Sequence, residues 1–149
     1  MKQAESPIQR PGSRVLALAM ILFMTLTGAC SSNQVNKSRG ETFEKYETTI
    51  RWSQWDAAAN FLAPSYLADN PISRLDMDRL RLFKVTAYTV RSAAVFDEGM
   101  AAKQVVEIRL FNKNQGVERS IMDEQEWRYD KEHKRWLLHS GLPDPTARY

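Results

Sequence analysis

The sequence predicts an α+β fold, an N-terminal amphipathic helix packed on a four-stranded antiparallel meander. Three observations carry this reading. Phe43, Tyr46, Ile50, Trp55, Ala58 and Leu62 recur mostly at three- and four-residue spacings, with Glu44, Lys45, Glu47, Arg51 and Asp56 largely between them. That is the period of an amphipathic helix of about twenty residues. From Phe83 onward the apolar period shortens toward two, as in half-buried strands. The runs in that half are separated by short polar turns, DEG at 97–99, NKNQG at 112–116 and DKEHK at 130–134. A helical part followed by consecutive strands is the order of an α+β domain.

The chain begins with a segment of a different kind. Lys2, Arg10 and Arg14 against Glu5 make a positive start, VLALAMILFMTL at 15–26 is uncharged, and small residues precede Cys30. A helix crossing a bilayer needs about twenty apolar residues, so this run is short for a span and has the layout of a cleaved export signal. An ordinary signal with a coincidental cysteine, or an uncleaved anchor helix, fits the same composition. LTGAC at 26–30 resembles the lipobox of bacterial lipoprotein precursors, with Thr27 where that group usually has leucine. The resemblance implies removal of residues 1–29, a diacylglyceryl thioether on Cys30 and acylation of its new amino group. Two or more chains anchor a protein durably, whereas one does so marginally. Ser31 in place of the aspartate that retains many such proteins at the inner membrane implies the outer membrane, facing the periplasm.

Of the net charge of +3, the leader carries three basic residues against one acidic, leaving +1 for residues 30–149. Basic and acidic residues are interleaved there, without the one-sided basic face that nucleic acid requires. The chain has one cysteine, and with that residue acylated the domain has no thiol left for a disulfide.

Residues 30–40 are polar and show no apolar period, so a lipidated, flexible tether is expected, followed by one domain at 41–145 and a frayed tail at 146–149. Within the domain, Ala63-Pro64 should end the first helix, because the residue before proline is pushed out of the helical region. Trp52 lies off the apolar stripe and is expected to pack against a neighbouring element, or to line a pocket or interface. Residues 65–70 read as a loop or short turn, and residues 72–82 as a short helix leading into a strand. The expected strands are residues 83–96, 100–111, 117–129 and 135–139. In the third, Val117, Ile121, Asp123, Trp127 and Tyr129 share the inner register.

Two stretches, QWDAAANFLAPSYL at 54–67 and EWRYDKEHKRWLLHSGLP at 126–143, resemble the first-helix signature and closing hairpin of nuclear transport factor 2-like domains. That resemblance implies a strongly bent sheet wrapped about the helix as a cone with an apolar interior. The group includes ketosteroid-isomerase-like and cyclase-like enzymes, in which an acidic group inside the cone moves a proton, and many binding modules. The stretch between Pro64 and Phe83 is short for the additional helices of the larger members.

The acid–base candidates are Asp56, Asp69, Asp123 and His139. Such a group must be buried enough to shift its pKa and within reach of a substrate. Asp123 is the one whose register directs it inward, while Asp56 is expected to be solvated or paired with Arg51 or Asn60, and His139 to lie at the surface. Two histidines, His133 and His139, make no metal-ligand set, and no phosphate loop or nucleophile elbow is present; no cofactor is expected. Four tryptophans are many for this size and are expected chiefly to fill the core. The function expected is that of an envelope lipoprotein whose domain is a binding or assembly module. Its partner would be an envelope protein or an apolar small ligand, and the candidate binding residues are Trp52 and Asp123. The alternatives are a small proton-transfer enzyme and a structural or secretion-apparatus component.

Overall fold

The computed structural model describes residues 28–146, with side chains described from Ser32 onward. The expected signal segment up to residue 27, the Cys30 side chain and residues 147–149 lie outside the described set. By contacts the chain divides into residues 1–34 and 35–149, and the second unit holds the whole sheet and its core.

The architecture is α+β. Helix α1 spans Gly28–Arg51, and α2, Trp55–Ala58, runs into a 3-10 turn at Ala59–Phe61. Two short helices follow, α3 at Pro64–Asp69 and α4 at Arg74–Leu80. Strands β1 (Phe83–Phe96), β2 (Ala101–Asn112), β3 (Glu118–Asp130) and β4 (Arg135–Leu138) pair in sequence order, each antiparallel to the next. Each strand therefore needs only a short turn to reach its partner.

The N-terminal helix differs from expectation at both ends. Residues 31–40 are helical, and the stripe that organises α1 begins earlier than the strongly apolar residues do. Val35 is buried and its carbonyl accepts the Trp136 indole N–H at 3.3 Å, while the Arg39 guanidinium lies 5.8 Å from the Trp136 ring centroid. Val35, Arg39, Phe43, Tyr46 and Ile50 thus form one continuous helical face. An arginine stem covers apolar surface as an aliphatic residue would, so this turn of the stripe does not register as apolar in the sequence.

At its other end the expected single helix is broken. Ser53 takes a left-handed backbone (φ 54°), and its Oγ accepts the Val85 N–H at 2.9 Å. The turn redirects the chain so that Trp55 reaches the core, where its indole N–H donates to the Phe83 carbonyl at 3.3 Å. Ala63 is extended, as the residue before proline should be, and Pro64 also opens α3, where its missing N–H is not needed. Residues 65–69 are therefore helix, with Asn70 as its non-helical cap, where a loop or short turn was expected. Helix α4 is stopped at its start by a capping box between Ser73 and Asp76.

The core lies between α1, α2 and the inner sheet face. Ala102, Val106, Ile108 and Leu110 of β2, Ile121 and Trp127 of β3, and Trp136 and Leu138 of β4 are buried there. The Trp127 ring meets Phe43, Tyr46 and Phe61 at centroid distances of 5.0, 5.1 and 6.3 Å. Val117 does not join them: it precedes β3 and is exposed. On the outer face Arg91 pairs with Glu107, and Lys103 and Arg128 both reach Glu126.

The end of the chain is held by a close approach. Gly141 has φ +88°, and a Cβ there would come within 2.5 Å of the Tyr66 hydroxyl oxygen. Gly141→Ala combines a left-handed backbone with a clash and is expected to cost about 2 kcal/mol or more. Gly116→Ala, at φ +65° in open space, isolates the backbone part at about 1 kcal/mol. Equilibrium urea unfolding of both variants checks the difference; equal losses would remove the contact argument.

Candidate functional site

Period-two alternation along β3 turns Ile121, Asp123, Gln125 and Trp127 to the inner face. Two polar residues therefore enter an apolar layer. Asp123 is 9% exposed and Gln125 1%, and they satisfy one another. The Gln125 amide donates to Asp123 Oδ2 at 2.7 Å and to the Tyr88 hydroxyl at 3.1 Å, and its oxygen accepts the Trp127 indole N–H at 3.2 Å. Tyr46 comes from α1 into the same layer. Its hydroxyl is buried without a hydrogen-bond partner among the described residues.

Burial dominates the electrostatics of this cluster. It pushes the Asp123 carboxyl up to about 6, against the opposing effect of the Gln125 hydrogen bond. Burial also raises the Tyr46 phenol well above its ordinary value, and the neighbouring Asp123 and Tyr88 raise it further. Tyr88 is raised chiefly by burial as well. Chemically, the arrangement is one carboxyl able to exchange a proton near pH 6 with two phenols held neutral around it. The carboxyl is buried in this layer. The open clefts beside Trp52 (about 600 Å³), along Glu41 to Phe61 (about 560 Å³) and beside Tyr66 (about 490 Å³) are lined by other residues.

The remaining candidates are not brought to this cluster. Asp56 is exposed, in line with the solvated position expected for it, and its partner is Arg81, at 2.5 Å and 3.3 Å, not Arg51 or Asn60. Arg81 also holds Asp78, so the pair ties α2 to the end of α4. Asp69 is exposed at the end of α3. His139 is half-buried, with burial first and the Arg128 charge second lowering its pKa. His133 packs on Asp130 in the last turn. Among the described residues no three His, Cys, Asp or Glu side chains gather in a way that could hold a metal ion.

Trp52 is 73% exposed and packs against no core element, contrary to one of the roles expected for it. It rims the cleft formed by Glu44, Glu47, Thr48 and Arg51 of α1 with Val85 and Thr86 of β1. Leu75, Leu82, Phe111 and Val117 are exposed at separate places, and the second half of β1 groups three exposed apolar residues on one strand, Val90, Val95 and Phe96 at 43%, 50% and 39%.

Sequence reading missed Gln125, Tyr88 and the open half of β1. Gln125 was within reach, since it shares the register of Asp123 and Trp127. Tyr88 was not, because an irregularity between Val85 and Ala87 shifts the register by one residue and so reverses the faces beyond it. Among the described residues no helix is long and apolar enough to cross a membrane.

Comparison with protein-family models, curated proteins and solved structures finds no match for this chain.

Proposed function

We propose that this chain is a lipid-anchored envelope protein, held by acyl groups on Cys30, whose α+β domain works as a binding or assembly module through its surface. The observation that carries the anchoring is the order of a basic start, a short uncharged apolar run and LTGAC ending at the single cysteine. The observation that supports a surface role is the placement of apolar groups. The interior is occupied by Tyr46, Trp127 and their neighbours, while Val90, Val95, Phe96 and Trp52 remain exposed. The expected address is the periplasmic face of an outer membrane.

A second reading is proton transfer at Asp123, favoured by its titration near neutrality beside Tyr46 and Tyr88. It ranks second because Asp123 is buried and the clefts described above are lined by other residues.

The first reading is tested by growing cells with radiolabelled palmitate and comparing wild type with Cys30→Ala. The expected outcome is a labelled wild type, loss of label in the variant and accumulation of the longer precursor. An unlabelled wild type would overturn the anchor.

A further inference from the structure

We infer that the surface partner is a second copy of this chain, paired antiparallel along the open half of β1 so that two four-stranded sheets become one. This rests on the reading of the domain as an assembly module and names what it assembles with.

The two edges of the sheet are finished differently. Along β4, Leu62 forms a parallel bridge with Leu138, and the Ala63 N–H donates to the Leu138 carbonyl at 2.8 Å. Along β1, Ser53 takes up the Val85 N–H. Beyond that point, among the described residues, no backbone group bonds to the side of β1 facing away from β2.

Natural sheets protect such an edge with charge, proline, bulges or a covering segment. The two register shifts in β1 fall at Val85/Ala87 and Val90/Ser92. Past them, Ser92 to Phe96 (SAAVF) has neither charge nor proline, and its larger apolar side chains are exposed. Arg91, the one charge between Val85 and Phe96, is already engaged by Glu107 of its own chain. The segment has the chemistry of an edge that accepts another strand through main-chain hydrogen bonds.

A second copy is favoured because the segment complements itself. Residues directly opposite in an antiparallel pair share a face. A two-fold axis at Ala94 sets Ala93 against the partner's Val95 and Ser92 against the partner's Phe96. Ala93 and Val95 stand opposite Gln104 and Ala102, on the inner face, and Ser92 and Phe96 opposite Val105 and Ala101, on the outer face. Along Ser92–Phe96 the pairing opposes no like charges, since the segment carries none. A two-fold interface makes every such contact twice. Anchoring both chains in one membrane raises their effective concentration for this contact.

The test uses the full chain in its native envelope. Ala94→Cys places two thiols at the axis, within the Cα separation of roughly 4.4–6.8 Å that a disulfide spans. On non-reducing gels it is expected to give a linked dimer absent from wild type, whose Cys30 serves as the internal background, and absent from Glu124→Cys on the outer face of β3. In detergent, the wild type should sediment at twice the chain mass. Ala94→Glu, which opposes two carboxylates, should shift it to one chain mass with its helix and strand content by circular dichroism retained and its thermal midpoint lowered by the stabilisation the dimer supplied. A wild type sedimenting as one chain, with no Ala94→Cys dimer above the Glu124→Cys control, would overturn the second copy. A photo-crosslinker at Val95 then separates the two ideas. An adduct with a different protein replaces the partner and keeps the module, whereas no adduct removes both.

Discussion

Trp127→Ala is expected to remove about 4 kcal/mol of unfolding free energy, the upper part of the range for large-to-small aromatic changes in a packed core. Trp127 is fully buried, it meets three aromatic rings from α1 and the turn after α2, and its indole N–H holds the Gln125 oxygen. The substitution thus leaves a cavity and strips a hydrogen bond from a buried amide. Domains of this size carry only about 5–15 kcal/mol in total, so the variant should unfold at much lower denaturant with an unchanged m-value. Trp127→Phe keeps most of the volume and should lose roughly half as much. A loss of less than about 1 kcal/mol for the alanine variant would mean that Trp127 is not the keystone of the helix–sheet contact.

The second large effect concerns pH. Asp123 has its carboxyl raised from an ordinary value of 3.8 to about 6 by burial. The folded protein therefore binds more protons than the unfolded chain between those values. Stability is greatest below about pH 4 as far as this group is concerned, and it falls as pH rises through about pH 6. At 1.36 kcal/mol per pH unit the difference amounts to roughly 3 kcal/mol. Asp123→Asn keeps an acceptor for the Gln125 amide and removes the charge. It should match wild type near pH 4 and exceed it by up to about 3 kcal/mol above pH 7. The raised acid is thus a standing instability at neutral pH. Taking the difference between the two proteins cancels Glu107, Glu126 and Asp130, whose carboxyls Arg91, Arg128 and His133, respectively, hold low. A pH-independent difference in urea unfolding would show that Asp123 reaches solvent and would withdraw it as an interior acid.

Much of this fold was legible because period and punctuation are local. The four strands fall within one or two residues of their expected bounds, since alternation and the three polar turns mark them directly. The inward direction of Asp123 follows from the same alternation. Elements that failed did so where a side chain served a distant partner. Val35 and Arg39 belong to the helix stripe only because Trp136, about a hundred residues on, lies over that turn. Ser53 breaks the helix because its hydroxyl is needed at the edge of β1. Asp56 is paired by Arg81 across two helices, which no short spacing could reveal.

The candidate site divides along the same line. By itself the sequence determined the α+β order, the strand boundaries and the inward register of Asp123, because each depends on neighbours within a few positions. Only the tertiary structure decided which groups surround Asp123, which tryptophan stays outside and which sheet edge is left open. Those outcomes depend on register shifts in β1 and on where the chain after Leu62 lies down. A one-residue shift exchanges the two faces of a strand, and the pairing that sets it joins residues far apart in the chain.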